Sequence, residues 1–280
     1  MKVIRADVYG FCFGVEKAID MAFDEIYTNT SNGPIYALGQ LIHNPQVIEK
    51  LENAGVQIIS SLDKITSGTV IIRSHGVGKE TYDIATNQSL KIIDTTCPFV
   101  KRIQKIASQY VAKGYQIVIV GNPSHPEVVG INGWCNNKAI VINDEKDLIN
   151  MHKADKVCVV AQTTIEAIKF DSICKVINAC SNEVKIFHTI CNATANRQKA
   201  AKNLAKNVEA IIVIGGYNSS NTSKLVGICK EIRPKTTYHI ETVKDVNVLE
   251  MIKYETVGVT AGASTPSQTI EAVICKLNNL

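Results

Sequence analysis

The chain has 280 residues, of which 45% are hydrophobic and 20% are charged, a composition typical of globular proteins and unlike that of disordered ones. Its 30 basic and 26 acidic residues give a formal net charge of +4 without a long run of either sign, so a nucleic-acid partner is not expected. The N-terminal segment lacks the apolar core of a signal peptide, and no apolar run reaches the ~18 residues of a membrane span, which predicts a soluble, cytoplasmic protein without a membrane partner.

Strand and helix patterns alternate from the N-terminus up to Cys97. Apolar residues at helical spacing follow Cys12 and predict a helix there. The strands predicted in this part of the chain are Val3–Val8, Ile35–Leu38, Val70–Arg73 and Leu90–Ile93. A polar loop with His43 follows the second of these strands, and a loop with His75 follows the third.

The same order of elements begins again at Cys97. A helix follows this cysteine, and a later helix is predicted over Ile165–Ala179. His125 lies in the loop after the first predicted strand, and Thr163 lies in the loop after the third. The predicted strands are Tyr115–Val120, Ala139–Ile142, Val157–Val160 and Val184–Phe187.

A third start lies at Cys191. A helix is predicted from Ala193 to about Asn207, and Pro266 is well placed at the start of another helix. Ser219 and Ser264 occupy the loops that follow two predicted strands. Those strands are Ala210–Ile214 and Val257–Thr260.

The three stretches are copies of one α/β unit with mainly parallel strands. Counted from the cysteine of each copy, His43, His125 and Ser219 lie 31, 28 and 28 positions on, and His75, Thr163 and Ser264 lie 63, 66 and 73 positions on. We predict domains at 13–96 (copy 1), 97–190 (copy 2) and 191–280 (copy 3), with the N-terminal segment 1–12 completing copy 3. Because loops at the carboxyl ends of parallel strands gather at one edge, three units around a pseudo-threefold axis would bring all three cysteines together.

Three of the nine cysteines are therefore candidate metal ligands. Cys12, Cys97 and Cys191 each precede a predicted helix, whose N-terminus favours a thiolate. Converging thiolates suit a soft metal or an iron–sulfur cluster, and three sulfurs leave one iron of a cuboidal cluster open. The other cysteines form no CxxC pair and are interpreted as core residues: Cys135, Cys158, Cys174, Cys180, Cys229 and Cys275.

The loop residues predict a site for an anion and for proton transfer. Histidine, hydroxyl and amide side chains are donors suited to phosphate oxygens, although each Ser or Thr alone is more often a cap or loop residue. These donors are His43, His75, Thr164, Ser219, Ser220, Asn221 and Ser264. Glu127 is the only carboxylate in such a loop and could supply a proton, relayed by His125 or Thr163. His152, His188 and His239 lie outside the repeated loops and are interpreted as incidental.

Nine short motifs in one order resemble the 4-hydroxy-3-methylbut-2-enyl diphosphate reductase family. They are GFCFGV at Cys12, LIHNP at His43, RSHGV at His75, DTTCPFV at Cys97, HPEVVG at His125, AQTT at Thr163, TICNATANRQ at Cys191, NSSNT at Ser219 and GASTP at Ser264. The resemblance covers nearly the whole chain. It implies a trefoil of three α/β domains around one central [4Fe–4S] cluster on Cys12, Cys97 and Cys191.

The resemblance also implies a reaction and a set of roles. The family reductively removes the allylic hydroxyl of (E)-4-hydroxy-3-methylbut-2-enyl diphosphate, giving isopentenyl and dimethylallyl diphosphates. Glu127 matches the proton donor, and Thr163 matches the residue that helps position the substrate hydroxyl. The diphosphate is expected on His43, His75, His125, Ser219, Ser220, Asn221 and Ser264. A ferredoxin or flavodoxin is the expected electron donor.

Three positions depart from the family pattern, and two other functions stay open. His188 stands where an acid is usual, Ser124 replaces a glycine, and Asn192 follows Cys191 where an aromatic residue is common. Quinolinate synthase also has three pseudo-threefold units and a three-cysteine cluster, but it needs no net electron input. An iron–sulfur sensor would not need repeated phosphate-type loops and would usually carry a DNA-binding module, for which the sequence has no signature.

Overall fold

The computed structural model describes residues 1–29, 33–150 and 154–280, so His152 lies outside the described residues. The chain divides into two compact units. Unit 1 comprises Met1–Glu16, His43–Val47 and Asn192–Leu280, and unit 2 comprises Lys17–Ile42 and Ile48–Cys191. The three domain boundaries expected from the sequence stay a prediction.

Strands and helices alternate along the described chain. The strands are β1 (Lys2–Arg5), β2 (Ile35–Leu38), β3 (Gln57–Ile59), β4 (Thr69–Ile72), β5 (Lys91–Asp94), β6 (Gln116–Val120), β7 (Ile140–Ile142), β8 (Lys156–Ala161), β9 (Glu183–Ile186), β10 (Ala210–Ile214), β11 (Thr237–Ile240) and β12 (Thr256–Ala261). The α-helices are α1 (Phe13–Thr28), α2 (Pro45–Asn53), α3 (Lys79–Asn87), α4 (Pro98–Ala112), α5 (Pro126–Gly133), α6 (Ala167–Cys180), α7 (Asn192–Lys206), α8 (Ser220–Ile232), α9 (Val248–Met251) and α10 (Ser267–Asn278). Short 3₁₀ helices cover Glu145–Asn150 and Val243–Asp245.

The strands form three four-stranded parallel sheets with one topology. Unit 2 holds β3-β2-β4-β5 and β7-β6-β8-β9, and unit 1 holds β11-β10-β12-β1. In the unit 1 sheet, β1 pairs with β12 from Lys2 opposite Thr256 to Arg5 opposite Val259, the place that β5 and β9 take in the other two sheets. The predicted fold class of three α/β units with parallel sheets is therefore confirmed.

Apolar runs explain why the inner strands of each sheet are buried on both faces. In β10, Ile212 and Ile214 pack with the apolar side of α10, whereas Ile211 and Val213 pack with α7 and α8. Such two-sided burial is typical of parallel sheets and gives a continuous apolar run rather than an alternating one. Each fully buried Ile or Val contributes ~1.5–3 kcal/mol relative to an exposed one, so these strands fix the position of the loops at their ends.

The outer strands differ most from the sequence-based expectation. The edge strands β3 and β11 were not predicted, because both are short and only Ile240 of the latter is buried. β1 ends at Arg5 instead of Val8, since the chain turns towards Gly10, whose φ is +71°. The other predicted strands agree with the structure within one or two residues.

The prediction that six cysteines lie in the core is right for four of them. Cys135, Cys158, Cys174 and Cys229 are buried, and burial raises the pKa of each thiol to about 12, which makes them unreactive. The prediction is wrong for Cys180 and Cys275, which are exposed. Both lie on helices, at the last residue of α6 and on the outer face of α10, where a cysteine at helical spacing need not face the sheet.

None of the helices that the structure describes combines the length and the hydropathy needed to cross a membrane.

Candidate active site

The three candidate ligand cysteines occupy equivalent places in the three sheets. Cys12 directly precedes α1, Cys97 is the N-cap residue of α4, and Cys191 directly precedes α7. Each cysteine follows the edge strand β1, β5 or β9 of one sheet, and its backbone N–H donates a hydrogen bond to the loop after the neighbouring strand of that sheet. These bonds are Cys12 to the carbonyl of Ala263 (3.2 Å), Cys97 to that of Ser74 (3.0 Å) and Cys191 to that of Thr163 (3.0 Å). One fold therefore sets the backbone of all three cysteines in the same way.

The three thiols differ in how deeply they are buried. Cys12 and Cys97 are partly exposed, and Cys191 is buried, with 9% of its surface accessible. None of the three forms a disulfide bond with another described residue. They differ from the deeply buried core cysteines in lying at helix N-termini, where thiolates are favoured.

Glu127 is buried in unit 2 and held by Thr163. One carboxylate oxygen accepts the backbone N–H of Thr163 and the other accepts its hydroxyl, both at 2.7 Å. Since the carbonyl of Thr163 accepts the N–H of Cys191, one residue connects the acid to a candidate cluster ligand. The two side chains that the sequence assigns to proton transfer are thus in direct contact.

Burial raises the pKa of Glu127 to about 7, against the two hydrogen bonds from Thr163, which lower it. Only 2% of the residue is accessible, so the cost of burying a negative charge dominates. The carboxyl group is therefore close to half protonated at neutral pH, which suits a general acid.

His125 caps the helix that carries Glu127. Its Nδ1 accepts the backbone N–H of Glu127 at 3.2 Å, so the neutral ring carries its proton on Nε2 and can donate from there. The ring of His75 lies against that of His125, edge to face, with centroids 5.4 Å apart. Two of the predicted phosphate donors thus lie together in unit 2, beside the acid.

Glycines allow the His75 loop to approach α5. An added Cβ at Gly133 would lie 2.5 Å from Cα of Gly78, and one at Gly130 would lie 3.1 Å from the carbonyl oxygen of Gly76. Gly76 itself has φ of +72°, which L side chains rarely adopt. Larger residues at these positions would separate His75 from the helix that carries Glu127.

In unit 1, the predicted anion-binding residues surround the N-terminus of α8. Ser219 is the N-cap residue, and its hydroxyl oxygen accepts the N–H of Thr222 at 3.3 Å. The Ser264 hydroxyl donates to the backbone carbonyl of His43 at 3.2 Å, which brings the loop after β12 to the His43 segment. Helix N-termini with free amides and hydroxyls favour anions.

Asn221 carries a buried side-chain amide that the described part of unit 1 leaves without a hydrogen bond. It is 6% accessible, and within the described residues neither atom of its side-chain amide has a hydrogen-bond partner. An unsatisfied buried amide costs ~1–3 kcal/mol, a penalty that a bound polar ligand would remove.

Two glycines beside this helix leave no room for a side chain. An added Cβ at Gly262 would lie 2.1 Å from Oγ1 of Thr222, and one at Gly215 would lie 2.6 Å from the same atom. Gly215 also has φ of +148°. The loops after β10 and β12 therefore close around Thr222 and fix the start of α8.

Arg197 holds the chain next to Cys12, and the sequence pattern assigned no role to it, although it lies in the motif TICNATANRQ. Its guanidinium is buried and donates to the carbonyls of Gly10, Phe11 and Ala193 at 2.7–3.1 Å. It thereby holds the segment that leads into Cys12. The sequence signal that could have indicated this role is an arginine inside the motif at the start of α7.

The three departures from the family pattern contact no predicted site side chain through a described hydrogen bond. His188 is exposed, with Nδ1 3.8 Å from a carboxylate oxygen of Asp171. The Ser124 hydroxyl donates to Asn122 at 2.8 Å in the turn before His125, and Asn192 is exposed at the start of α7.

The structure thus brings two sets of predicted residues together. One set is in unit 2: Glu127, Thr163, His125 and His75. The other is in unit 1: His43, Ser219, Ser220, Asn221 and Ser264. A common centre for both sets and for the three cysteines stays a prediction.

Comparison with known proteins decides the family. Residues 3–278 match the family described as LytB protein. The chain belongs to the LytB family. The resemblance predicted from the nine motifs is thereby confirmed, and it favours the reductase over quinolinate synthase and over an iron–sulfur sensor.

Curated LytB relatives match this chain over its whole length. Proteins named 4-hydroxy-3-methylbut-2-enyl diphosphate reductase are 52% identical in Alkaliphilus oremlandii, over all of both chains, and 47% identical in Clostridioides difficile, also over all of both chains. A solved structure of the reductase from Plasmodium falciparum is 27% identical and superposes with a TM-score of 0.92, covering 99% of this chain and 88% of the other. A second solved structure, of the reductase described as the terminal enzyme of the non-mevalonate pathway, is 40% identical with a TM-score of 0.72 and complete coverage of both chains.

Proposed function

We propose that this LytB protein reduces (E)-4-hydroxy-3-methylbut-2-enyl diphosphate to isopentenyl and dimethylallyl diphosphates. The C–O bond of the allylic hydroxyl breaks, two electrons and two protons are consumed, and one water leaves. Full-length relatives carry the name of this reductase. The observation that best supports the proposal is the contact of Glu127 with Thr163, whose carbonyl in turn accepts the N–H of Cys191.

Glu127 would supply the proton that converts the departing hydroxyl into water. Because burial raises its pKa to about 7, the group can hold this proton at neutral pH and release it as charge develops on the oxygen. The Thr163 hydroxyl currently donates to Glu127, and it can instead donate to a substrate oxygen once the acid is protonated. Thr163 would therefore orient the substrate hydroxyl towards the acid.

The residues present fit an iron–sulfur cluster. Cys12, Cys97 and Cys191 form no disulfide bond with a described residue and share the same backbone hydrogen bond and the same place before a helix, and thiolates are the usual cluster ligands. When bound, a [4Fe–4S] cluster with three protein ligands supplies the electrons and an open Lewis-acidic iron. The protein would contribute one thiolate from each copy.

The diphosphate would bind to the polar loops. In unit 1, Asn221 offers an unpartnered buried amide, and Ser219, Ser220 and Ser264 offer hydroxyls near the N-terminus of α8. In unit 2, His125 presents Nε2–H beside His75. Anchoring the diphosphate would hold the short carbon chain near the acid, and such positioning can lower a barrier by ~7–11 kcal/mol in the best oriented cases. A small one-electron carrier such as a ferredoxin or flavodoxin would provide the electrons.

Anaerobic turnover tests the proposed function. We expect the reconstituted protein to consume the hydroxylated diphosphate with a chemical reductant and to release both isoprenoid diphosphates. Consumption without a reductant would favour a lyase, and no consumption with one would contradict the proposal.

Cluster loading tests the ligands separately. Cys97→Ala is expected to lose most of the iron and sulfide bound after reconstitution, and Cys12→Ala and Cys191→Ala likewise. Cys275→Ala is the control, because that cysteine is exposed and is not a predicted cluster ligand. Normal cluster absorbance in the three ligand variants would refute the assignment.

A further inference from the structure

We propose that an acidic one-electron carrier protein docks on the exposed face of α4 beside Cys97. The docking surface consists of Phe99, Arg102 and Lys105 on α4, together with the cleft beside this helix. The inference rests on the proposed function, since it names where the electrons of that reaction would enter.

The exposure of the cysteines limits where a carrier can deliver electrons. Electron transfer weakens steeply with distance, so the carrier must lie close to a cluster ligand. Cys12 and Cys97 are partly exposed, whereas Cys191 is buried. Entry next to Cys12 or Cys97 is therefore favoured over entry next to Cys191.

The charge of the neighbouring helix then distinguishes the surface beside Cys12 from the surface beside Cys97. The helix that follows Cys12, α1, carries three exposed carboxylates, one lysine and a fourth carboxylate, Glu25, that is buried and paired with Lys91. Helix α4, which follows Cys97, carries three cations and no carboxylate. Lys101 is paired with Asp94 at 2.7 Å, but within the described residues Arg102 and Lys105 have no ion-pair partner. An acidic surface would be repelled by α1 and attracted by α4, and such complementarity raises association rates ~10–10³-fold at low salt.

The surface also offers apolar area next to the cysteine. Phe99 lies two residues after Cys97 and is 40% accessible; Phe13, directly after Cys12, is 66% accessible, so charge and not apolar exposure favours the surface at Cys97. Beside α4 there is a cleft of about 360 Å³ whose walls include Tyr82, Trp134 and Lys105. The cleft wall also includes Asp94, whose carboxylate is paired with Lys101, so aromatic side chains with a cationic rim remain for a transient interface with an acidic partner.

Helix α7 provides the matched comparison. It also lacks carboxylates, and its Lys199 and Lys202 are exposed, yet it follows the buried Cys191 and has no aromatic residue. The same change of charge can therefore be made on α7 without touching the proposed surface.

The test compares Arg102→Glu/Lys105→Glu with Lys199→Glu/Lys202→Glu in the reconstituted protein. The probes are a bacterial ferredoxin and a flavodoxin. Calorimetric titration measures the affinity for each oxidised carrier, and steady-state turnover gives the KM for each reduced carrier. Turnover with a small-molecule reductant serves as the reference, and the neutral pair Arg102→Gln/Lys105→Gln guards against a folding defect.

We expect the α4 reversal to weaken binding of a carrier and raise its KM at least tenfold at low ionic strength, with turnover on the small reductant unchanged. The neutral pair should show a smaller effect, and high salt should reduce all differences, because exposed charges are screened over about 10 Å at 0.1 M. Equal effects of the α4 and α7 reversals, or no binding of either carrier to the parent protein, would overturn the proposal. Failure of the parent to reduce the substrate with the small reductant would instead refute the proposed function, while the titration would still test the surface.

Discussion

Replacing Glu127 with Gln should remove a pH dependence of stability that this one buried group creates. Burial raises the pKa of Glu127 from 4.5 to about 7. The folded chain therefore holds a proton that the unfolded chain releases between these values. The stabilisation is fully present below pH 4.5 and is lost as the pH rises through 7. With about 1.4 kcal/mol per pKa unit, the parent should lose roughly 3 kcal/mol over this window relative to the variant.

The glutamine fits the same hydrogen bonds, so the comparison isolates the charge. Its amide oxygen can accept the N–H of Thr163, and its amide nitrogen can donate to the Thr163 hydroxyl. Urea unfolding of the cluster-free parent and variant should be followed from pH 4.5 to 8. Glu52→Gln, on the exposed surface of α2, is the control. If the difference in unfolding free energy between the parent and Glu127→Gln does not change with pH, Glu127 does not have the raised pKa that the structure indicates.

The same variant tests the proton-donor role. Turnover should fall about 10²–10⁴-fold, the usual contribution of a general acid, while cluster loading and substrate binding survive. Near-normal turnover on the chemical reductant would contradict this role.

Three further substitutions probe the surroundings of the acid and the anion loops. Thr163→Val removes a hydrogen bond that lowers the pKa of Glu127. Turnover should fall, and the alkaline limb of its pH profile should move to higher pH. An alkaline limb at the same pH as in the parent would contradict the contact. Gly262→Ala places a Cβ 2.1 Å from Oγ1 of Thr222 and should lower stability by ~1–3 kcal/mol in thermal unfolding, and an unchanged melting temperature would contradict this crowding. Asn221→Asp puts a carboxylate near the expected diphosphate, so KM should rise with pH in this variant only; a KM with the pH dependence of the parent would place the diphosphate elsewhere.

The sequence was most informative where local pattern and tertiary burial agree. Ile35–Leu38 and Ala210–Ile214 were predicted at their observed bounds, because both are apolar runs set between turn-forming segments. β11 was missed because three of its four residues are only partly buried, so its stability comes from pairing with β10 and not from its own composition.

The individual contacts of the site could not be predicted from the sequence either. The sequence could assign Glu127 and Thr163 to one reaction through the repeat and the resemblance, but not their double hydrogen bond, which joins residues 36 positions apart. Nor could it show that both amide atoms of Asn221 lack a partner, or that Arg197 holds the segment before Cys12. Such facts depend on which polar groups folding buries together, and local pattern carries no information on that pairing.

The repeat gives a physical reason why one fold would hold both the proposed acid and the proposed anion site. Glu127 and Asn221 are each the second residue of the helix after the first strand of their copy, each is buried, and each lies 30 positions after the cysteine that begins its copy. In copy 2 a carboxyl group at this place is pushed towards its neutral form by burial and can deliver a proton. In copy 3 a carboxylate would repel a diphosphate, whereas the amide of Asn221 can donate to it without carrying charge. Under the proposed roles, a difference of one functional group at equivalent positions would divide proton transfer from anion binding.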